Sequence, residues 1–328
     1  MSSLFITSKP SESPPNALYT LSSVICDLHA LRTLSVNDIS ANAYLHLAAL
    51  PSLKCLALWS VQHGLPASLT LPANGASFLA LEKFEFSSTA LTHCTRLLLV
   101  AGKHLHSLGI SYHESGTPSD WRSLTTTVEK SCSGVNLTSI TIHTDIRYQA
   151  GPLDFPIQFQ HIQPLLKFHN LTYSKLETPL GFDLDDTDVE EMAKAWPHLN
   201  KLHLKGSIHE DFHPRMTLAS LKSLAQHCRH LAKVYIRIDA TQPYVPATPM
   251  APIIPHRSLT TLDVGRSPIE DPTMVATFLS DLFPCLGPGD IMHGYWRDEL
   301  NNALAWSEVR STLVAVRANK AAALAEAM

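Results

Sequence analysis

Residues 186–207 read DTDVEEMAKAWPHLNKLHLKGS, and two periods lie side by side in them. Val189, Met192, Ala193 and Trp196 recur at three- and four-residue steps, the apolar stripe of a helix, and Pro197 stops it. Thr187 and Glu190 stand at capping-box spacing near its start. Leu199, Leu202 and Leu204 follow as apolar-x-x-apolar-x-apolar, the last two alternating with exposed positions as a short strand with one buried face requires. One such helix and strand cannot bury their apolar sides alone, so the unit is stable only against neighbours built the same way.

The neighbours are there on both sides. The same pattern occurs at Leu31/Leu34/Val36, Leu53/Leu56/Leu58, Leu81/Phe84/Phe86, Leu105/Leu108/Ile110, Leu137/Ile140/Ile142, Phe168/Leu171/Tyr173, Leu231/Val234/Ile236 and Leu259/Leu262/Val264, with first positions 22 to 32 residues apart. That is a leucine-rich-repeat period, at its long end. Between strands the helical period returns. Leu218, Leu221, Leu224, Ala225 and Cys228 form a stripe behind Thr217 as N-cap, and Asp271-Pro272 opens a helix carrying Val275, Phe278, Leu279 and Leu282. Three residues before the first motif position stand Leu50, Phe78, Gly102, Leu165, Trp196 and Cys228, so Cys228 reads as a small core residue. The expected fold is α/β, a leucine-rich-repeat solenoid or horseshoe with a concave parallel sheet and convex helices. Residues 1–19 are expected to be a flexible N-terminal segment and 20–290 a solenoid of about nine irregular repeats. Residues 291–328, with Trp296, Leu300, Leu304, Val309, Leu313 and Val316 at helical steps, read as a capping helix and frayed tail.

Composition narrows the function. Of 328 residues 45% are apolar and 16% charged, and the formal net charge is only -4, which argues against a dedicated nucleic-acid or membrane-surface binder. No apolar run approaches a membrane span, and the first fifteen residues lack a signal-peptide pattern, so a cytosolic or nuclear protein is expected. The six cysteines are scattered without close pairs, as reduced thiols rather than a disulfide framework or zinc cluster. Eighteen histidines include His104 with His106, His209 near His213, and His227 with His230, but none of these groups has a complete ligand set. GxGxxG, GxxxxGK[ST], GxSxG and HExxH are all absent, so no enzyme, metal or cofactor is expected.

Three stretches, 186–207, MTLASLKSLAQHCRHLAKVYIRIDA (216–240) and SLTTLDVGRSPIEDPTMVATFLSDLFPCL (258–286), together resemble the repeat region of fungal F-box proteins with a ribonuclease-inhibitor-type solenoid. The closing WRDELNNALAWSEVRSTLVAVR is also similar to the tail of that group. The resemblance implies a protein-binding module that selects clients for a cullin-based ubiquitin ligase. In that group an N-terminal F-box, a three-helix segment of about 40 residues, docks on the ligase adaptor, whereas the repeats here begin by about residue 28. Adaptor binding is therefore left open, and a stand-alone scaffold or inhibitor is the alternative.

In such a solenoid the residues between the buried ones face the hollow and are the natural binding surface. Trp59 stands there in the second repeat. The seventh and eighth repeats offer Lys201, His203, Lys205, Lys233, Tyr235 and Arg237, a basic surface suited to an acidic or phosphorylated client segment. An ordinary solvated sheet face is the competing reading; the acidic run Asp183, Asp185, Asp186, Asp188, Glu190 and Glu191 just before the seventh strand could partly neutralise it, although as a helix it would sit on the convex side. Pro243, Pro246, Pro249, Pro252 and Pro255 recur every third residue, either a stiff loop in place of a helix or a polyproline II edge open to SH3-like grooves.

Overall fold

The structure is a computed structural model that describes residues 3–5, 17–61, 77–99, 103–114, 116–144, 156–206, 213–244, 254–293 and 300–326. Pro246, Pro249, Pro252, Trp296, Gly102 and His209 lie outside the described residues. The chain forms two units, residues 1–171 with 176–179, and residues 172–175 with 180–328.

The first unit runs β1 (Ser3–Phe5), α1 (Ala17–Cys26), β2 (Thr33–Val36), α2 (Ala41–Ala49), β3 (Cys55–Val61), β4 (Lys83–Ser88), α3 (Leu91–Leu98), β5 (Ser107–Tyr112), α4 (Pro118–Ser131), β6 (Ser139–Thr144), β7 (Ile157–Gln158), α5 (Phe159–Ile162) and a 3-10 turn over Gln163–Lys167. Strands β1 to β6 pair in sequence order, all parallel, with Ser3 opposite Thr33 and Ser139 opposite Ser107 at the two ends. Strand β1 lies ahead of the first sequence motif.

Strand β8 (Tyr173–Thr178) is divided between the units. The second unit continues with β9 (Phe182–Asp183), α6 (Asp186–Ala195), β10 (Lys201–Gly206), α7 (Leu218–His227), β11 (Lys233–Tyr235), β12 (Thr261–Asp263), α8 (Pro272–Leu282), a 3-10 turn over Pro288–Asp290, β13 (Ile291–Met292) and α9 (Leu300–Glu326). Strands β10 to β13 again pair parallel and in order. Each unit is therefore an α/β solenoid of the leucine-rich-repeat type.

In eight of the nine motifs all three apolar positions are buried, none more than 2% exposed. Burying one such leucine stabilises the fold by about 1.5–3 kcal/mol. One backbone contact recurs with them. The carbonyl just after the first motif residue accepts two successive N–H groups from the next repeat: Arg32 from Lys54 and Cys55, Lys54 from Glu82 and Lys83, Asn200 from Ala232 and Lys233, Ala232 from Thr260 and Thr261.

The sixth motif differs from its sequence reading by three residues. The carbonyl that fills this role is that of Thr172, which accepts from Asn200 and Lys201, so the first motif position is Leu171 and not Phe168. Ser174 and Leu176 are the buried strand residues, and Tyr173 is a partly exposed outward one. Phe168 occupies the core site held elsewhere by Phe78, Trp196 and Cys228. A small polar Ser at the middle position, where every other repeat has a large apolar residue, disguised the motif.

Helix starts follow local chemistry. Thr217 and Asp271 cap α7 and α8 as their sequences indicate, with Pro272 in the first turn. Helix α6 is capped instead by Asp185, whose carboxylate accepts the Thr187 and Asp188 N–H groups while Asp188 reaches back to the Asp185 N–H. A carboxylate two residues upstream of Thr187 captures the free N–H groups first and leaves Thr187 within the opening turn. Cys228 is fully buried, its thiol within bonding distance of the Ala193 and Trp196 carbonyls at 3.5 and 3.4 Å, and burial pushes its pKa up to about 12. Helix α9 closes the second unit through Trp306, whose indole N–H donates to the Ser267 carbonyl at 2.8 Å. No described helix is long and apolar enough to cross a membrane.

Candidate functional site

Strands β10, β11 and β12 place their outward residues in straight rows. Lys201 lies beside Lys233 and Thr261; His203 lies beside Tyr235, Asp263 and, on β13, Met292. The alternate residues Leu202, Val234, Leu262 and Ile291 are fully buried and fix which side of each strand faces water.

Tyr235 is the centre of the arrangement. The His203 ring stacks on it at 4.8 Å between centroids and 17° between planes. The Lys201 ammonium sits 5.2 Å from the Tyr235 centroid and 5.0 Å from that of Tyr173, held between two aromatic faces. The Lys205 ammonium lies 5.4 Å from the Tyr235 ring. Each such cation–π contact contributes about 0.5–1 kcal/mol at an exposed site. It orients the lysines without cancelling their charge.

The lysines then differ. Lys205 is ion-paired with Asp263 at 2.6 Å, and the Asp263 side chain is only 14% exposed. The second Asp263 oxygen accepts the Gly265 N–H at 2.9 Å, closing a turn in which Gly265 takes φ +56°, a conformation that favours glycine. Lys201 and Lys233 have no salt-bridge partner among the described residues, and Lys233 is exposed. Arg237 follows β11 and donates its Nε–H to the Arg266 carbonyl at 3.2 Å. Trp59 belongs to the first unit, where it is 43% exposed and its indole N–H donates to Ser35 Oγ at 2.9 Å.

All but Glu191 of the acidic run that could have neutralised this surface is engaged elsewhere. Asp183 and Asp185 pair with Arg215 at 2.8 and 3.7 Å, and Glu190 pairs with Lys194 at 2.6 Å. Asp186 accepts the Thr217 N–H and hydroxyl and the Ser220 hydroxyl, tying the first turn of α6 to that of α7. The acid in the outward rows is Asp263, which a reading that stopped at the eighth repeat omits. Tyr173 and Met292 are further additions. Tyr173 could have been found from Asn170, which stands just before Leu171 as Asn136 stands just before Leu137. Both asparagine amides donate to a carbonyl of the preceding repeat, Val135 and Lys103 respectively.

Among the described residues no group of three or more His, Cys, Asp or Glu is placed to hold a metal ion. The arrangement offers binding chemistry: two ammonium groups without an ion-pair partner among the described residues, aromatic faces beside them, and a fixed carboxylate at one side.

No family model matches the chain, and no curated protein matches it. Among solved structures it is similar to a chain in the crystal structure of the Rad7 and Elc1 complex in yeast, with 15% identity and a TM-score of 0.41 over 82% of this chain and 71% of that one.

Proposed function

We propose that this chain is a protein-interaction module without chemistry of its own, acting in the cytosol or nucleus. It binds an acidic or phosphorylated segment of a client protein on the outward face of β10 to β12. Its role is client recognition of the kind that the likeness to fungal F-box repeat regions implies. The observation that carries the reading is the pair Lys201 and Lys233, neighbours on adjacent strands, without a carboxylate partner among the described residues and flanked by Tyr173 and Tyr235. Strand neighbours lie about 4.8 Å apart, close enough for one carboxylate or phosphate to meet both ammonium groups. The tyrosines supply contact area at low conformational cost.

The test is a fluorescence-anisotropy titration of acidic and phosphorylated peptide libraries against the wild-type chain and the Lys201→Glu/Lys233→Glu variant. Both positions face solvent, so the variant keeps its circular-dichroism spectrum. It should bind at least about tenfold more weakly. Undiminished binding by the folded variant overturns the proposal. Purification of the tagged chain with its partners then separates the two cellular roles: cullin and adaptor subunits mark a ligase-linked receptor, and clients alone a scaffold or inhibitor.

A further inference from the structure

Asp263 sits where a ligand's carboxylate would sit. It lies directly across from Tyr235, pairs with Lys205 at 2.6 Å, is largely buried, and is held by the Gly265 N–H. The basic surface is therefore divided. Its Lys201/Lys233 half is open to an anion, while its Lys205 half is already filled by an acid of the chain itself.

We infer that Asp263 is a specificity-determining residue that admits one acidic position of a client and rejects a second one beside it. This rests on the reading of the surface as a client site. A client carboxylate arriving over Lys205 would meet the Asp263 charge at close range, in a position water only partly screens. An acidic run is therefore a poor ligand even though the surface is basic. Beyond Asp263 in the same row stands Met292, 40% exposed. From Lys233 to Met292 is two strand spacings across and one residue pair along, roughly 11–12 Å, which an extended peptide spans in about three to four residues. The partner is accordingly an extended segment with a single Asp or Glu and an apolar side chain three or four residues away.

Isothermal titration of the full chain with two peptides tests this, one carrying a single Glu with Leu four residues off and one carrying four consecutive Glu residues. The wild-type chain should prefer the first. Asp263→Asn keeps the acceptor for Gly265 and removes the charge, and it should tighten the acidic-run peptide about tenfold while changing the first peptide little. Adding Lys205→Met to Asp263→Asn should abolish the gain, because the freed ammonium is its source. If Asp263→Asn leaves the two affinities in their wild-type ratio, the specificity role is wrong although the client site stands. If the wild-type chain binds neither peptide, and Lys201→Glu/Lys233→Glu changes nothing, the client site itself is wrong.

Discussion

His256 shows how much a single buried side chain can govern. It occupies the core site three residues before Leu259, its Nε2 donates to the Cys228 carbonyl at 3.0 Å, and its ring meets Phe283 edge-on. That bond fixes the tautomer and leaves Nδ1 buried with no partner among the described residues. Protonation would place a charged N–H there, so burial lowers the His256 pKa below its ordinary 6.5. A histidine depressed in the fold binds its proton more readily when unfolded. Its contribution to stability is complete above the unfolded value and is lost as the pH falls through 6.5 toward the folded one. Urea melts of the wild-type chain and His256→Gln between pH 7 and 5 check this. Glutamine can still donate to Cys228 but does not titrate, so the variant should lose less stability over that interval. Parallel curves would show that other histidines carry the acid sensitivity.

At the scale of the strand, buried and outward residues alternate along Lys201–Leu204 of β10, so neighbouring residues there should respond differently to the same substitution. Leu202→Ala opens a cavity in a fully buried row and should cost about 2–5 kcal/mol, whereas Lys201→Ala gives up two cation–π contacts at the surface and should cost about 1–2 kcal/mol at most. Equal losses in chemical melts would contradict the assigned register. This alternation is what made the fold readable from sequence: wherever three apolar residues of ordinary size hold the motif, period and burial agree. The reading slipped where Ser174 replaced a large residue, and the slip hid Tyr173, because a three-residue error moves an outward side chain inward. The cap of α6 slipped for a related reason, since Asp185 and Thr187 are both good caps and only the closing turn decides between them. The candidate site was half legible. Its lysines and Tyr235 follow from spacing, but their inequality does not. That Lys205 is paired, while Lys201 has no carboxylate partner among the described residues, depends on a residue some sixty positions away, brought alongside by stacking.

Over the whole molecule, the thiols report on each unit separately. Cys94 and Cys132 in the first unit and Cys228 in the second are buried, with pKa values pushed up to about 12, while Cys285 is exposed. A thiol reagent at pH 8 should therefore modify Cys285 readily and leave those three unmodified until denaturant opens the surrounding unit. Peptide mapping of the modified chain checks this, and rapid native-state modification of Cys228 would contradict the closed core of the second unit. The shared carbonyl that accepts two N–H groups from the following repeat has a wider consequence. Where it occurs, it locks a strand to its neighbour at one point, whether 22 or 32 residues separate the two carbonyls. The connecting segments are thus adjustable spacers between fixed rungs, and a deletion within one should shorten the chain while leaving the outward rows, and whatever docks on them, aligned as before.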